Sequence, residues 1–252
     1  FDSVTSSYRT DILAKALRTN RDILTPTIIP PNKFGGKTKS GIPIAAGAGD
    51  NAAAALGVQA EPGDVVVSLG TSGTAFISTN NATNDGSGEV AGFADATGNF
   101  LPLACTLNAA KIFATVAKTL NLTFEEFSSI ALSAPIGSHG LKLIPHFDGE
   151  RTPNLPQALG RFHGITHSNF TRSNIARAAI EGVIAGMVYA TQALEKLGVS
   201  YSRVLLIGGA AKNPAVQQIA ADFFGKEIRL PPPGEYVADG AAKQAAWALS
   251  GN

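Results

Sequence analysis

The first turn that could do chemistry covers residues 47–51, between a short apolar run at 42–46 and an alanine run at 52–55. Alanine favours helix, so this turn is expected to lead from a strand into a helix. Asp50 then lies at the positive end of the helix, which favours its carboxylate over the acid. An ionised carboxylate can accept a proton as a general base, but Asp is also a preferred N-cap residue. The local sequence leaves both roles open.

The second turn, Gly70-Thr71-Ser72-Gly73, separates two predicted strands at 64–70 and 74–79. A hairpin of this kind offers backbone N–H groups and hydroxyls to the oxygens of a phosphate group. An ordinary glycine-containing hairpin turn is the alternative, and the local sequence does not decide between them. The turn lacks a Gly-Lys-Ser/Thr ending, so it is not a Walker A loop.

The third turn covers residues 208–214 and follows a predicted strand at 203–207, in which residues 204–207 are aliphatic. Its two leading glycines leave room for a flat ligand against the backbone. Asn213 precedes Pro214, which is the usual order of an N-cap residue and a proline at the first helical position. Capping and ligand contact are compatible, so the turn is a candidate ligand site in either case.

The remaining charged and nucleophilic residues give weaker signals. The four histidines lack metal-ligand spacing with carboxylates or with Cys105, so no zinc site is expected. A G-x-S-x-G nucleophile elbow does not occur in the sequence. Asp148, Glu150 and Arg151 lie close together in the segment 147–153, where a structural ion pair in a loop is the expected role.

Hydrophobic periodicity places these turns in a chain of mixed α/β type. Strands are predicted at 42–46, 64–70, 74–79, 90–94, 100–104, 141–145, 161–166, 203–207 and 227–230. Helices are predicted at 10–18, from the alanine run at 52–55, and at 108–120, 124–132, 171–197, 214–224 and 237–249. The stretches 25–41 and 80–88 are rich in Gly, Asn and other turn-forming residues and are predicted to be loops.

Composition argues against several classes of function. The chain has 252 residues, with 20 Lys and Arg against 19 Asp and Glu. A net charge of +1 provides no basic field for a polyanion, so nucleic acid is not an expected partner. A single Cys cannot form an intramolecular disulfide, which favours a reducing compartment. The most apolar stretch is interrupted by charged residues, so no membrane span is expected.

Five segments of the sequence resemble, in order and spacing, the sugar kinases of the FGGY carbohydrate kinase family. They are residues 46–53, 67–73, 149–153, 160–165 followed by 174–181, and 207–210. The resemblance implies an α/β fold, an actin-like (ribonuclease H-like) ATPase domain with a mixed sheet flanked by helices. It also implies that 61–252 is the second domain of a two-domain sugar kinase. Residues 1–60 would be a remnant of the N-terminal domain and a hinge carrying the catalytic Asp.

The resemblance implies a role for each of the three turns. Asp50 would be the catalytic base that takes the proton from the attacking sugar hydroxyl, and Asn51 beside it would contact the sugar. ATP would be the phosphoryl donor and would carry Mg²⁺ on its phosphates, without a dedicated metal site on this chain. The implied ATP-binding residues are Gly70, Thr71, Ser72, Gly73, Ala110, Gly208, Gly209 and Asn213.

Within the family, Asn51 directly after Asp50 looks most like the xylulokinases, which implies phosphorylation of D-xylulose in the cytoplasm. FGGY kinases that act on gluconate, ribulose or glycerol stay open as alternatives, and so does a homodimer. The family's first phosphate motif and most of its sugar contacts lie in an N-terminal half that nothing here resembles. This chain alone is therefore expected to bind adenine nucleotide weakly and not to phosphorylate sugar.

Two other classes of protein remain as alternatives. The run at 42–46 followed by Gly47-x-Gly49-x-x-Ala52 mimics the dinucleotide fingerprint of NAD-binding oxidoreductases. Asp50 would then place a negative charge inside the pyrophosphate cradle, which weakens this interpretation. The second alternative is a non-catalytic actin-like module that uses ATP only to change shape.

Overall fold

The computed structural model of the protein describes residues 1–19, 21 and 23–251. Its helices are α1 (Thr10–Leu17), α2 (Asp50–Gly57), α3 (Ala110–Thr119), α4 (Phe124–Ser133), α5 (Arg172–Lys196), α6 (Pro214–Phe224) and α7 (Tyr236–Ser250). Two short 3₁₀ turns cover Ser138–Gly140 and Gly209–Lys212. None of the helices in the described ranges combines the length and apolarity needed to cross a bilayer.

The strands are β1 (Phe34–Lys37), β2 (Pro43–Ala45), β3 (Asp64–Leu69), β4 (Gly73–Phe76), β5 (Val90–Ala94), β6 (Phe100–Thr106), β7 (Lys142–Ile144), β8 (Arg161–His163), β9 (Arg203–Ile207) and β10 (Glu227–Arg229). Every predicted helix and strand is confirmed to within a few residues. The predicted loop at 25–41 is wrong in one part, because it contains β1. This strand has two glycines and a weak β pattern, and its antiparallel pairing with β2 stabilises it.

A six-stranded mixed sheet in the order β10-β9-β3-β4-β6-β5 forms the centre of the molecule. The strands β10, β9 and β3 are parallel, whereas β3, β4, β6 and β5 are antiparallel neighbours. Helices α3, α4, α5 and α6 pack on one face of this sheet, and α2 and α7 pack on the other. This arrangement confirms the predicted mixed sheet flanked by helices.

Strand β3 shows why the sequence forms this three-layer arrangement. Its residues Val65, Val67 and Leu69 belong to the core on the α5 side, while Val66 belongs to the core on the α2 side. Side chains alternate across a strand, so a strand covered on both faces needs an unbroken apolar run. Val65, Val66 and Val67 meet that requirement at the centre of β3.

The layer formed by α2 and α7 depends on a close approach of the two helix backbones. A Cβ atom added at Gly240 of α7 would overlap the carbonyl oxygen of Ala53, and one added at Gly57 would overlap that of Tyr236. The ammonium of Lys243 also donates to the carbonyl oxygen of Gly57 at 2.8 Å. This bond satisfies one of the last carbonyls of α2, which a helix end otherwise leaves without a partner. The contact holds α2, and with it Asp50, against the sheet.

We expect Gly240→Ala to lower the free energy of unfolding by about 2–3 kcal/mol, because the added methyl group forces the two helices apart. Gly186→Ala in α5 is the matched control, since a Cβ there meets nothing within 4 Å. That variant should instead raise the stability by about 0.5–1 kcal/mol, because alanine has less backbone freedom to lose than glycine. Urea denaturation measures both values. Equal effects of the two variants would contradict the close approach.

The starts of β3 and β9 are joined by an ion pair. Arg203 donates to both carboxylate oxygens of Asp64, at 2.6 and 2.9 Å, and to Glu61 at 2.8 Å. Asp64 is only 2% exposed. Burial alone would raise the pKa of Asp64, but hydrogen bonds from Arg203 and from the Glu61 N–H hold that pKa below its usual value. The pair contributes to the parallel register of the two strands.

Asp64→Asn should lower the free energy of unfolding by about 1–3 kcal/mol at pH 7, since it weakens charge-assisted hydrogen bonds. Because the pKa of Asp64 is lower in the folded protein than in the unfolded chain, its ionised form stabilises the wild type fully above the unfolded pKa near 3.8. This stabilisation is lost as the pH falls from that value through the lower pKa of the folded protein. The difference between wild type and variant should therefore stay constant from neutral pH to about pH 5 and shrink at lower pH. Denaturation across this pH range checks the prediction, and a difference independent of pH would contradict it.

Candidate active site

The carboxylate of Asp50 lies at the first position of α2. Gly49 is the N-cap residue of this helix, so the N-cap role considered for Asp50 is wrong. The Oδ1 atom of Asp50 accepts hydrogen bonds from the backbone N–H and the side-chain amide of Asn51, at 2.8 and 3.1 Å. Its Oδ2 atom has no hydrogen-bond partner among the described residues. One oxygen is thus held in place while the other is available to a proton donor.

Asn51 connects this carboxylate to the sheet. Its Oδ1 atom accepts a hydrogen bond from the hydroxyl of Thr74 in β4 at 3.4 Å, while its Nδ2 atom donates to Asp50. The amide therefore fixes the direction of the Asp50 side chain relative to the strands. Contact between Asn51 and a sugar stays a prediction.

The turn at 70–72 joins β3 to β4 and lies against the start of α3. Its Gly70 and Thr71 carbonyls accept hydrogen bonds from the N–H groups of Ala110 and Lys111, at 3.0 and 3.5 Å. In a trans peptide, the carbonyl of one residue and the N–H of the next residue point in opposite directions. The N–H groups of Thr71 and Ser72 consequently face away from α3, and neither donates to an acceptor within the described chain. Two adjacent free N–H groups are suited to binding an anion.

The last two residues of this motif differ from the first two. Ser72 is exposed and lines neither of the cavities described below. Gly73 is buried at the start of β4, and a Cβ there would lie 2.6 Å from the Thr106 hydroxyl oxygen and overlap the sulfur of Met187. Core packing is therefore a sufficient reason for glycine at position 73. Nucleotide contact by either residue stays a prediction.

Gly208 and Gly209 follow β9 and have different surroundings. Gly208 has a φ of +95°, and a Cβ there would lie 2.6 Å from the carbonyl oxygen of Leu69. Only glycine fits this close approach of the two strand ends. A Cβ at Gly209 would meet nothing within 4 Å, so this residue faces open space.

Asn213 is the N-cap residue of α6, as predicted, with Pro214 at the first helical position. Its Oδ1 atom accepts hydrogen bonds from the N–H groups of Ala215 and Val216, at 2.9 and 3.3 Å. The hydroxyl of Ser128 donates to the same oxygen at 2.8 Å. These three donors fix the orientation of the amide, which leaves Nδ2 without a protein acceptor in the described ranges. The cap therefore presents an N–H₂ donor to the adjoining cavity.

The predicted site residues line two adjoining cavities. The Asp50 cavity, of about 1020 Å³, contains Asp50, Asn51, Gly208 and Gly209. The Asn213 cavity, of about 470 Å³, contains Gly70, Thr71, Ala110, Gly209 and Asn213. Gly209 and Lys212 line both cavities, so the two meet along the turn that follows β9. The structure thus brings together the predicted residues with the exception of Ser72 and Gly73.

Sequence reasoning missed several residues that line these cavities. Lys212 lies where the cavities meet, and its ammonium forms no hydrogen bond or ion pair with any residue that the structure describes. A lysine inside a glycine-led turn was a visible signal for a phosphate-facing cation. Phe113 and Phe124 supply apolar wall in the Asn213 cavity, but nothing in the sequence distinguishes them from ordinary helix residues.

The segment 147–153 forms one ion pair, but not among its own charged residues. Asp148 pairs with Lys111 at 3.3 Å, and both side chains are exposed. Glu150 is buried and bonded to N–H groups instead of a cation, so the expected ion pair is wrong for this residue. Within the described ranges, no group of three or more His, Cys, Asp or Glu side chains could hold a metal ion.

Comparison with known proteins identifies the family. The sequence model of the C-terminal domain of the FGGY family of carbohydrate kinases matches residues 65–249. The chain belongs to the FGGY family of carbohydrate kinases. The xylulose kinase of Streptomyces rubiginosus is 40% identical over 237 residues, which are 90% of this chain and 47% of that protein.

Solved structures of FGGY kinases share this fold. The xylulose kinase of Bifidobacterium adolescentis has a TM-score of 0.90 and 40% identity, covering 100% of this chain and 54% of that one. The gluconate kinase of Lactobacillus acidophilus has a TM-score of 0.87 and 26% identity, covering 96% and 52%. The predicted actin-like class of FGGY sugar kinases is confirmed. The chain spans about half the length of the relatives that it matches.

The dinucleotide fingerprint considered for residues 47–52 is wrong. Strand β2, which precedes it, pairs antiparallel with β1 in a separate two-stranded sheet. A dinucleotide-binding turn requires a strand of a parallel sheet in a βαβ unit. Here the two glycines instead lead into the helix that carries Asp50.

Gly208→Ala and Gly209→Ala should have opposite consequences. The first should lower the free energy of unfolding by about 2–3 kcal/mol, because its methyl group would meet the backbone of Leu69 at a positive φ. The second should change stability by less than about 0.5 kcal/mol but weaken ATP binding roughly tenfold, because its methyl group enters the cavities. Chemical denaturation and calorimetric titration with ATP measure the two effects. Unchanged ATP binding by Gly209→Ala would show that no ligand passes over this turn.

Proposed function

We propose that this chain is the nucleotide-binding half of an ATP-dependent sugar kinase that transfers the γ-phosphate to D-xylulose. The observation that carries the proposal is the junction of the two cavities. A general base, Asp50, lines one of them, and the free donors of Asn213 and the 70–72 turn adjoin the other. Gly209 and Lys212 line both. A triphosphate that crosses this junction would bring its last phosphate towards Asp50.

The Asn213 cavity has the chemistry of a site for adenosine. Phe113 and Phe124 offer apolar surface to a base, and the Nδ2 of Asn213 offers one hydrogen-bond donor. The N–H groups of Thr71 and Ser72 are donors for phosphate oxygens, and Lys212 adds a positive charge at the junction. Phosphoryl transfer depends mainly on such positioning and charge neutralisation, and needs little covalent help from the protein.

Asp50 would act on the sugar. Its free Oδ2 atom can accept the proton of the attacking hydroxyl, while Asn51 holds Oδ1. The exposed setting of Asp50 gives a substrate access from the Asp50 cavity. A base whose position is fixed before the substrate binds does not need to reorganise during the transfer.

The donor set on this chain fits a metal ion that is carried by the nucleotide. Among the described residues, no group of three or more His, Cys, Asp or Glu side chains could hold a metal ion, so they provide no cage of protein ligands. We propose that Mg²⁺ is bound by the ATP phosphates and water. When bound, it would neutralise part of the phosphate charge.

Relatives support D-xylulose as the substrate more than the fold does. The two relatives at 40% identity are both named xylulose kinases, but a gluconate kinase shares the fold almost as well. Gluconate phosphorylation is therefore the second candidate. Substrate profiles with both compounds distinguish them. A cytoplasmic location belongs to the same proposal, since the reaction consumes ATP, and a homodimer stays a prediction.

We further propose that a second domain completes the sugar site. Residues 1–60 expose apolar side chains on α1, on β1, and on and just before β2, and α1 buries none of its residues. These side chains are Ile12, Leu17, Phe34, Ile42 and Ile44. Apolar surface of this kind normally packs against protein. The chain by itself should therefore bind ATP weakly and transfer no phosphate.

In the full-length kinase, Asp50→Asn should lower kcat by about 10²- to 10⁴-fold and leave the affinity for ATP within about twofold. Asparagine keeps the shape and the hydrogen bond from the Asn51 N–H but cannot take a proton. Asp85→Asn is the control, because Asp85 is a half-buried carboxylate that accepts hydrogen bonds from Ser87 and Val90 and lines neither cavity.

Coupled assays of ADP release and calorimetric titration measure the two quantities. Retention of full transfer by Asp50→Asn would refute the kinase mechanism. If sugar transfer is absent from the wild type as well, while ATP changes its hydrodynamic shape, the non-catalytic actin-like module would be favoured instead.

A further inference from the structure

A buried carboxylate, Glu150, lies outside both cavities and takes no part in the mechanism above. It is 4% exposed, and its Oε1 atom accepts hydrogen bonds from the N–H groups of Leu107 and Arg151, at 2.5 and 2.8 Å. Its Oε2 atom accepts one from the side-chain amide of Asn108 at 2.9 Å. No salt bridge joins it to a cation within the described ranges. A buried charge held only by N–H donors is costly to desolvate, so its retention needs a reason.

The side chain of Asn108 adds further hydrogen bonds between the residues before α3 and the segment that contains Glu150. Its Nδ2 atom also donates to the carbonyl oxygen of Gly149 at 2.8 Å, and its Oδ1 atom accepts from the N–H of Phe147 at 3.3 Å. Residues 107 and 108 are thus bonded to residues 147, 149 and 150 of the segment 147–151. We call this segment the strap.

The strap is itself anchored to the rest of the fold. Glu150 and Leu155 exchange two backbone hydrogen bonds of 2.9 Å, and the Gly149 N–H donates to Ala158 at 3.1 Å. The hydroxyl of Thr152 donates to the carbonyl oxygen of Glu89 at 2.9 Å. The Glu150 carboxylate therefore acts from a fixed position.

Residues 107 and 108 lead directly into α3, and the start of α3 holds the 70–72 turn. The N–H groups of Ala110 and Lys111 bind the carbonyl oxygens of Gly70 and Thr71. A displacement of residues 107–108 would move these two donors. The peptide planes at 70–72 would then rotate, and the free N–H groups of Thr71 and Ser72 would change direction.

We propose that Glu150 is a positioning residue for the phosphate-binding turn. Its carboxylate fixes the start of α3, and the start of α3 fixes the direction of the N–H groups that face the nucleotide phosphates. The proposal rests on the nucleotide site of the proposed function. A carboxylate is required because its two oxygens accept three N–H bonds, whereas the amide of a glutamine would place a donor against one of them.

Glu150→Gln in the full-length kinase should weaken ATP binding about tenfold and change adenosine binding by less than twofold. Adenosine lacks phosphates, and its contacts at Phe124 and Asn213 come from α4 and the turn before α6, which the variant does not touch. Hydrogen exchange of the Ala110 and Lys111 amides should also become faster without any ligand present. If Glu150 only stabilised the fold, the variant would change the affinities for ATP and for adenosine to the same extent.

Glu181→Gln is the control, because Glu181 is a second buried carboxylate away from the cavities, which accepts the N–H of Gly137 at 2.9 Å and forms an ion pair with Arg177 at 2.7 Å. It should lower the melting temperature but keep the ATP affinity. If Glu150→Gln does not fold, Asn108→Ala tests the same link from its other side.

Parallel losses of ATP and adenosine affinity, or an unchanged ATP affinity, would overturn the role of Glu150. An equal loss of ATP affinity in Glu181→Gln would overturn it as well. Failure of the wild type to bind ATP would instead refute the proposed function, so the two failures are distinguishable.

Discussion

The site depends on the parallel pairing of β3 with β9. Ser68 lies opposite Ile207, so the two strands end side by side and the turns that follow them emerge at the same edge of the sheet. Carboxyl ends of adjacent parallel strands are a common place for ligand sites for this reason. The approach is close enough that Gly208 contacts the backbone of Leu69, and a side chain at this position would separate the two turns. The ion pair between Asp64 and Arg203 fixes the register at the opposite end of the same strands.

A second constraint brings in the layer on the other face of the sheet. Helix α2 could not hold Asp50 beside the strand ends unless α7 packed tightly over it, and Gly57 and Gly240 allow this packing. The candidate base and the candidate phosphate donors therefore come from different layers, on opposite faces of the sheet. Changes in core packing beneath α2 would shift the position of Asp50 without altering the residues that line the Asn213 cavity.

Much of this arrangement could be predicted from the sequence. The strands at 64–69 and 203–207 are mainly apolar and have turn signals at their ends, and Asn213-Pro214 is a strong local signal for a helix start. The predicted residues of the two cavities follow from these turns. The N-cap role considered for Asp50 failed because Gly49 takes that position, a difference of one residue that local preference cannot resolve. Strand β1 was missed because it depends on its pairing with β2, which is not a local property.

The glycines show where sequence reasoning necessarily stops. Gly73, Gly208 and Gly209 belong to two motifs of the same appearance, yet Gly73 and Gly208 are required by packing and Gly209 faces the cavities. Gly73 is constrained by Met187 and Gly208 by Leu69, and both of these neighbours are distant in sequence. Only their positions in the fold distinguish these two glycines from Gly209. Glu150 gives the same lesson, because its N–H partners at Leu107 and Asn108 lie about forty residues away. A motif therefore identifies the turn, whereas the fold decides which of its residues a ligand can reach.

The two cavities suggest how one sheet edge can serve a reaction between two substrates. Helices α3, α4 and α6 form the wall of the Asn213 cavity on one side of the edge, and α2 and α7 form that of the Asp50 cavity on the other. A nucleotide bound on the first side can reach the second only across the strand ends, where the backbone is bare of side chains at Gly209. A bulky side chain at that position would keep the nucleotide from extending into the Asp50 cavity. Its effect would be larger than that of losing any single hydrogen bond to the nucleotide. In the proposed function, the open backbone at Gly209 is the feature that would allow a phosphate and the Asp50 carboxylate to meet.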